Sequence, residues 1–330
     1  MCKFIVFALR LNLHVLHSRL QVNPDSETSA TEDILDPSSR LLQVLNDQRL
    51  ADIDECVAEQ GTKVWINKNV DPKQLVNPVV DFEDVESITC LTFASLVNDF
   101  RTVRQLVEAG SDVRATDWTG CTSLHYACAS RVEAQAKVEY MLQRDASLVN
   151  ATNYSQNAVL HPERDWSTLN VVPVSEDDDS EDDDSEDDSE FDFEYKPKLP
   201  HYSTPLHVAA GHGQTDCVKT LVNVGKAPVN ATDEWGRTAL HLAAEAGSAE
   251  AVVVLVQHPD CRVNATTRWE GRTALHLAVD TGNVEAVKVL LSNPSCDVSI
   301  TDGYGLTAAH AAREREHSRI AKLIKAKAKG

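Results

Sequence analysis

The chain has 330 residues, enough for one elongated domain or two compact ones, and only 5% aromatics, so its core has to be built from Ala, Leu and Val. Its formal charge of −20 is concentrated: residues 175–194 hold fourteen acids and no base, and the rest of the chain sets 31 bases against 37 acids, with no basic patch for nucleic acid. Eight cysteines stand singly, without C-x-x-C or a Cys/His quartet at zinc spacing, which argues against a metal site and for reduced thiols in the cytoplasm or nucleus.

The N-terminal stretch MCKFIVFALRLNLHVLHSRL has an apolar run of six residues, Phe4 to Leu9, too short for a secretory signal or a membrane span, and nothing later approaches one. Residues 1–37 are expected to be a poorly ordered leader. With Lys3, Arg10 and Arg19 and no acid before Asp25, a mitochondrial presequence is the alternative reading. Residues 38–85 follow as degenerate cap helices and a linker. In LLQVLNDQRLADIDECVAEQG (41–61), Ile53, Cys56 and Val57 stand as Val103, Leu106 and Val107 do further on.

From residue 86 one phrase recurs: TCLT at 89, TSLH at 122, TPLH at 204, TALH at 238 and 273, and TAAH at 307. The histidines at 207, 241, 276 and 310 are spaced by 34, 35 and 34. Each phrase predicts a short first helix, a turn (Gly213, Gly247, Gly282), a second apolar-periodic helix such as EAVVVLVQ, and a β-branched segment ending in VNAT or VSIT. That makes six units, 86–153 holding the first two and 201–330 the last four. Three of the four N-x-S/T sequons, at Asn150, Asn230 and Asn264, are the repeated VNAT; the fourth is Asn153. The repeat explains them without a sugar. In the last unit Arg315 is read as standing in place of the turn glycine.

The period and the T-P-L-H-x-A phrase resemble the ankyrin repeat, over about three quarters of the chain. The resemblance implies an all-α repeat solenoid of helix-turn-helix plus β-hairpin units. One such pair cannot bury its apolar faces alone, so neighbours have to stack. Ala209, Ala210, Ala243 and Ala244 then permit close approach of first helices, and Leu206, Leu240, Leu255, Leu275 and Leu290 fill the space between layers.

A catalytic histidine is placed once, beside a partner in one pocket. Here His125, His207, His241, His276 and His310 each follow a threonine three positions earlier. A repeated Thr/His pair suits hydrogen bonding at helix starts and in neighbouring turns. The ankyrin resemblance likewise implies a role in stability. The chain has no G-x-S-x-G, phosphate loop, H-E-x-x-H, EF-hand loop or dinucleotide fingerprint, so no enzyme, cofactor or catalytic residue is expected.

Between Asn150 and Thr204 the chain runs 54 positions where Asn230 to Thr238 takes 8, so an insertion, 154–200, sits at one hairpin tip. Closure cost grows slowly with loop length, and the stack is expected to continue across it. Its acid tract should be disordered by self-repulsion. Ser175, Ser180, Ser185 and Ser189 each have Asp three residues on, the pattern of an acid-directed Ser/Thr kinase; four phosphates would add about −6 to −8 charges. The aromatic-acidic FDFEY (191–195) ends the tract.

Ankyrin arrays, by this resemblance, bind proteins with hairpin tips and the concave face of first helices. The tips carry Trp118, Trp235, Trp269 and Tyr304, and the first-helix ends carry Gly211 and His212, Glu245 and Ala246, Asp280 and Thr281, and Arg313 and Glu314, a mixed and mildly acidic groove. The favoured function is a non-enzymatic scaffold, adaptor or inhibitor, a monomer that binds a protein partner and neither nucleic acid nor membrane. The alternative is an acidic chaperone-like or nuclear regulatory factor whose tract captures basic proteins.

Overall fold

The computed structural model of the chain describes residues 37–47, 53, 56, 66–71, 88–117, 119–153 and 202–328. The leader before residue 37, the acidic insertion with Ser175, Ser180, Ser185 and Ser189, FDFEY and Trp118 lie outside the described residues.

Thirteen α-helices are present among the described residues. Helix α1 (Pro37–Asn46) precedes six pairs: α2 (Cys90–Val97) with α3 (Phe100–Glu108), α4 (Ser123–Ala129) with α5 (Ala134–Arg144), α6 (Pro205–Gly211) with α7 (Thr215–Asn223), α8 (Ala239–Glu245) with α9 (Ala249–Val256), α10 (Ala274–Asp280) with α11 (Val284–Ser292), and α12 (Ala308–Glu314) with α13 (Ser318–Lys327). First helices pack on first helices in chain order and second helices on second, giving two parallel layers.

Most first helices are seven residues long, too short to be stable alone, and their ends are fixed by side chains. In every unit the N-cap threonine and the residue three positions on form a capping box, and in the first unit Thr92 replaces histidine without losing it. Second helices start on Asp99, Ser248 and Asn283, whose side chains accept N–H groups of the first turn. The stack closes on small residues: Ala209, Ala210, Ala243, Ala244, Ala278 and Ala312 are completely buried. Leu206, Leu240, Leu255, Leu275 and Leu290 are at most 3% exposed, each worth about 1.5–3 kcal/mol of burial.

The turns between paired helices hold Gly213, Gly247 and Gly282 at φ 65, 70 and 68°. In the last unit Glu316, rather than Arg315, takes this left-handed position, at φ 62°. Counted from the repeat histidine, Glu316 is the sixth residue on, as the three glycines are.

Units are joined by short fingers rather than β-ladders: among the described residues only isolated antiparallel bridges occur, such as Thr116 with Thr122 and Thr301 with Thr307. The upstream segment is built like a unit. Asn67 donates to the Gly110 carbonyl and accepts from Asp112 N–H, as Asn230 does with Asp260 and Arg262, and Asn264 with Ser295 and Asp297. The Val70–Ile88 bridge then occupies the place of a finger just before α2.

The second and third units meet directly although residues 154–201 separate them in sequence. Asn153 Oδ1 accepts Ser203 N–H at 2.7 Å, Asn153 N–H donates to Ser203 O at 3.2 Å, and Gln214 Nε2 donates to Ser130 O at 2.8 Å.

Candidate functional site

The repeat histidines work as two-sided connectors. Nδ1 of His125, His207, His241 and His276 accepts the N–H of Thr122, Thr204, Thr238 and Thr273 at 3.1–3.2 Å. Nε2 faces the carbonyl of Ser203, Arg237, Arg272 and Leu306 in the next unit at 3.0–3.2 Å. These partners require the neutral tautomer with the proton on Nε2. Burial holds His125 and His241 down to about 4 and lowers His207 and His276, with the facing carbonyls opposing the shift. Each ring is held between its own threonine and a carbonyl of the next unit.

The fingers are closed by an aspartate that the repeated D-x-x-G-x-T at 117, 233 and 302 signals. Asp117 Oδ1 accepts the N–H of Thr119 and Cys121, Asp233 that of Trp235 and Arg237, and Asp302 that of Tyr304 and Leu306, all at 2.8–3.0 Å. Thr267 takes the position in the finger with one extra residue, accepting Arg272 N–H. Adjacent tips are also bonded: Arg268 N–H donates to Trp235 O at 2.8 Å and Gly303 N–H to Glu270 O at 2.7 Å. A Cβ on Gly236 would stand 2.8 Å from Arg268 N, so this approach needs glycine.

Of the tip aromatics, Trp269 and Tyr304 stand in solvent, 66% and 76% exposed. Trp235 is half-buried, because the Arg237 guanidinium lies 4.4 Å from its ring centroid, so the described tips do not form one uniformly exposed row. Arg237 is fixed in turn by Asp233 at 2.9 Å and by Glu245 at 3.1 Å.

The first-helix ends form a ladder of ion pairs. Arg272 meets Glu270 at 3.4 Å and Asp280 at 2.8 Å, and the other Asp280 oxygen takes Arg315 of the next unit at 2.8 Å. The acids that suggested an acidic groove, Glu245 and Asp280, are therefore matched by arginines projecting from fingers and from the last turn. Thr281 is exposed and bonded to the Ala278 carbonyl. His212 is half-buried, and desolvation with Arg131 nearby holds it down to about 4, so it enters this face as a neutral ring.

Sequence reasoning missed one buried cation. Lys137 occupies the α5 position where Thr102, Cys217, Ala251 and Ala286 stand in other units, and it is fully buried. Its Nζ donates to Ser95 O at 3.1 Å and Ser130 Oγ at 3.0 Å, and Ser130 Oγ donates to Leu96 O at 2.8 Å. Desolvation pulls the ammonium down to about 8 against the pull of Glu133 and Asp99. A serine beside a lysine amine resembles a nucleophile with its base, but both side chains are completely buried and no substrate reaches them. They tie the turn between α4 and α5 to the C-terminal end of α2.

Among the described residues no group of His, Cys, Asp or Glu is arranged to hold a metal ion, and no helix is long and apolar enough to cross a membrane. The seven described cysteines are free thiols. Burial pushes Cys217 up to about 12 and Cys261 up to about 11, away from thiolate reactivity.

Residues 189–267 and 255–329 match the family described as ankyrin repeats (3 copies). Helices α2 to α5 lie before the matched stretch, yet they carry the same capping boxes, the same finger aspartate and the same histidine connector. The matched stretch carries ankyrin repeats, and α2 to α5 share its capping box and its two-layer stack.

Proposed function

We propose that this chain is a non-enzymatic scaffold, adaptor or inhibitor that holds a protein partner against the first-helix face and the finger tips. Ankyrin repeats generally mediate protein–protein interaction. The observation that supports a partner here is the pair of tip aromatics on adjacent fingers, Trp269 and Tyr304, which leave most of their surface in water while the fingers beneath them are hydrogen-bonded to one another. Large apolar side chains on a rigid edge are interface anchors, because covering them releases about 25 cal/mol per Å². On the first-helix ends Thr281, neutral His212 and the ion-paired Glu245 and Asp280 offer polar contacts for orientation.

A cytoplasmic or nuclear location is supported by the free thiols. The second reading, capture of basic proteins by the acid tract after modification at Ser175, Ser180, Ser185 and Ser189, rests on composition alone. One comparison separates the two. Partner recovery by proximity labelling is measured for the full chain, for W269A/T281R, and for a deletion of 154–200. The groove reading expects loss in the double variant and retention in the deletion. The reverse pattern, with binding that collapses as salt is raised, overturns it in favour of the tract.

A further inference from the structure

From the capping residue of the first helix to the buried valine of the second, four units take 11 positions: Thr92 to Val103, His207 to Val218, His241 to Val252 and His276 to Val287. The second unit takes 13, from His125 to Val138. Its turn, 130–133, is thus two residues longer than the others, and it carries Arg131 and Val132 into solvent, Val132 41% exposed. The longer turn is nevertheless pinned. Ser130 Oγ donates to Leu96 O at 2.8 Å, and it accepts Val132 N–H at 3.2 Å and Lys137 Nζ at 3.0 Å. Glu133, at φ 45°, accepts Phe100 N–H at 2.7 Å, and Gln214 of the next unit donates to Ser130 O at 2.8 Å. The buried Lys137 holds the turn from beneath.

The charge on this turn is unmatched. At the first-helix ends and turns of the first five units the other charged side chains are engaged: Asp99 with Thr102 N–H, Glu133 with Phe100 N–H, Glu245 with Arg237, and Asp280 with Arg272 and Arg315. Arg131 is exposed and forms no ion pair or hydrogen bond with the described residues. Its neighbour His212 is kept neutral by burial and by the Arg131 charge itself, so it adds no second cation and no acid to offset the first.

We propose that the enlarged turn, Arg131 and Val132 beside His212, is the point of the first-helix face that reads an acidic, aliphatic segment of the protein partner. A partner carboxylate takes the Arg131 guanidinium, and an adjacent Leu, Ile or Val covers Val132. This rests on the reading that a partner binds the first-helix face, and it names the chemistry of that partner. The guanidinium has all its donors free for a two-point fit to a carboxylate. A basic segment would meet like charge with no described acid free to offset it. Because the turn is already fixed, binding orders little backbone.

A phage-displayed library of random peptides is selected against the full chain, and the enriched peptides are synthesised and titrated at physiological salt. Expected are sequences with Asp or Glu next to Leu, Ile or Val, and amide shifts at residues 130–133 and 212–214. Arg131→Glu should weaken them about tenfold or more and Val132→Ser about threefold. Neither side chain supports the fold, so both variants should keep the wild-type thermal midpoint. Arg144→Glu reverses another exposed charge, at the far end of α5, and should change affinity by less than about twofold. Equal affinity for Arg131→Glu, an equal loss in Arg144→Glu, enrichment of basic peptides, or no enrichment at all overturns the proposal. Peptides that lose affinity in W269A/T281R but not in Arg131→Glu also overturn it, while leaving a partner on the first-helix face; peptides indifferent to both variants remove the two readings together.

Discussion

His125 and Ser203 lie 78 positions apart in the chain, yet the imidazole Nε2 of one meets the carbonyl oxygen of the other at 3.1 Å. The same bond spans 30 or 31 positions in the three units that follow. One connector thus serves both the ordinary junction and the junction that carries the insertion, because the finger needs only its two ends in register. The energetic demand on the intervening length is the closure term, which rises by only about 0.6 kcal/mol per doubling.

Deleting 154–200 and joining the ends by a short glycine-containing turn is therefore expected to leave one cooperative unfolding transition, with a midpoint within a few degrees of wild type. Calorimetry on both proteins checks this. Two resolved transitions in the deletion variant would show that the halves fold separately.

The histidine ladder sets a pH dependence whose direction is fixed by the sign of the shifts. His125, His207, His241 and His276 all titrate lower in the fold than the ordinary value near 6.5, so the unfolded chain binds more protons below that pH. Their contribution is complete above about pH 6.5 and is lost as pH falls towards the folded values, about 4 for His125 and His241. Each ring contributes at most about 1.4 kcal/mol per pH unit. Urea midpoints should hold between pH 7 and 8 and drop steeply from pH 6.5 to 4.5; a flat profile would remove the neutral-imidazole assignment.

Two substitutions at one connector separate its halves. His241→Ala loses both the cap at Thr238 and the bond to Arg272 O, for an expected cost of about 1–3 kcal/mol. His241→Thr keeps the cap in the manner of Thr92 and should cost about half as much, with a shallower acid limb than wild type. Equal denaturant midpoints for the two variants would mean that the inter-unit bond contributes nothing.

The repeated TPLH phrase made the first helices, their caps and the small-residue core readable, because a period of 34 or 35 places equivalent residues on equivalent contacts. What escaped reading depends on residues that meet only after stacking. Glu245 and Asp280 read as an acidic groove until Arg237, Arg272 and Arg315 come in from other segments. Lys137 carries no signal in the sequence, since its partners Ser95 O and Ser130 Oγ come from elsewhere in the fold. Asn67 does the work of Asn230 and Asn264, but WINKN lacks the VNAT phrase, and the 43 residues to Gly110 exceed the 30 from Asn230 to Asp260.

Glu316 holds a left-handed backbone that glycine holds in the third, fourth and fifth units. A side chain there costs about 1 kcal/mol. The Glu316 side chain is exposed and forms no ion pair with the described residues, so Glu316→Gly is expected to raise the stability of the last unit by about 0.5–1 kcal/mol. Hydrogen exchange of α12 and α13 amides should slow accordingly, and unchanged or faster exchange would show that the turn stores no strain.

Lys137 gives the final test, at alkaline pH. Its folded value of about 8 lies below the ordinary lysine value near 10.5, so the fold prefers the neutral amine. Its contribution to stability therefore rises with pH above about 8 and is complete above about 10.5. The buried thiols act in the opposite sense, because their folded values are raised and the unfolded chain ionises first. The wild-type curve alone mixes the two, whereas the difference between wild type and Lys137→Met isolates the lysine. Methionine fills similar volume, leaves the Ser130 hydroxyl bonded to Leu96 O and removes a buried charge, so at pH 7 the variant should be as stable as wild type or more so. Between pH 8 and 10 wild type should gain on it by up to about 1.4 kcal/mol per unit. Denaturant midpoints taken in parallel across that range decide the matter: a difference independent of pH would mean that the ammonium is stabilised where it lies and that its burial carries no cost.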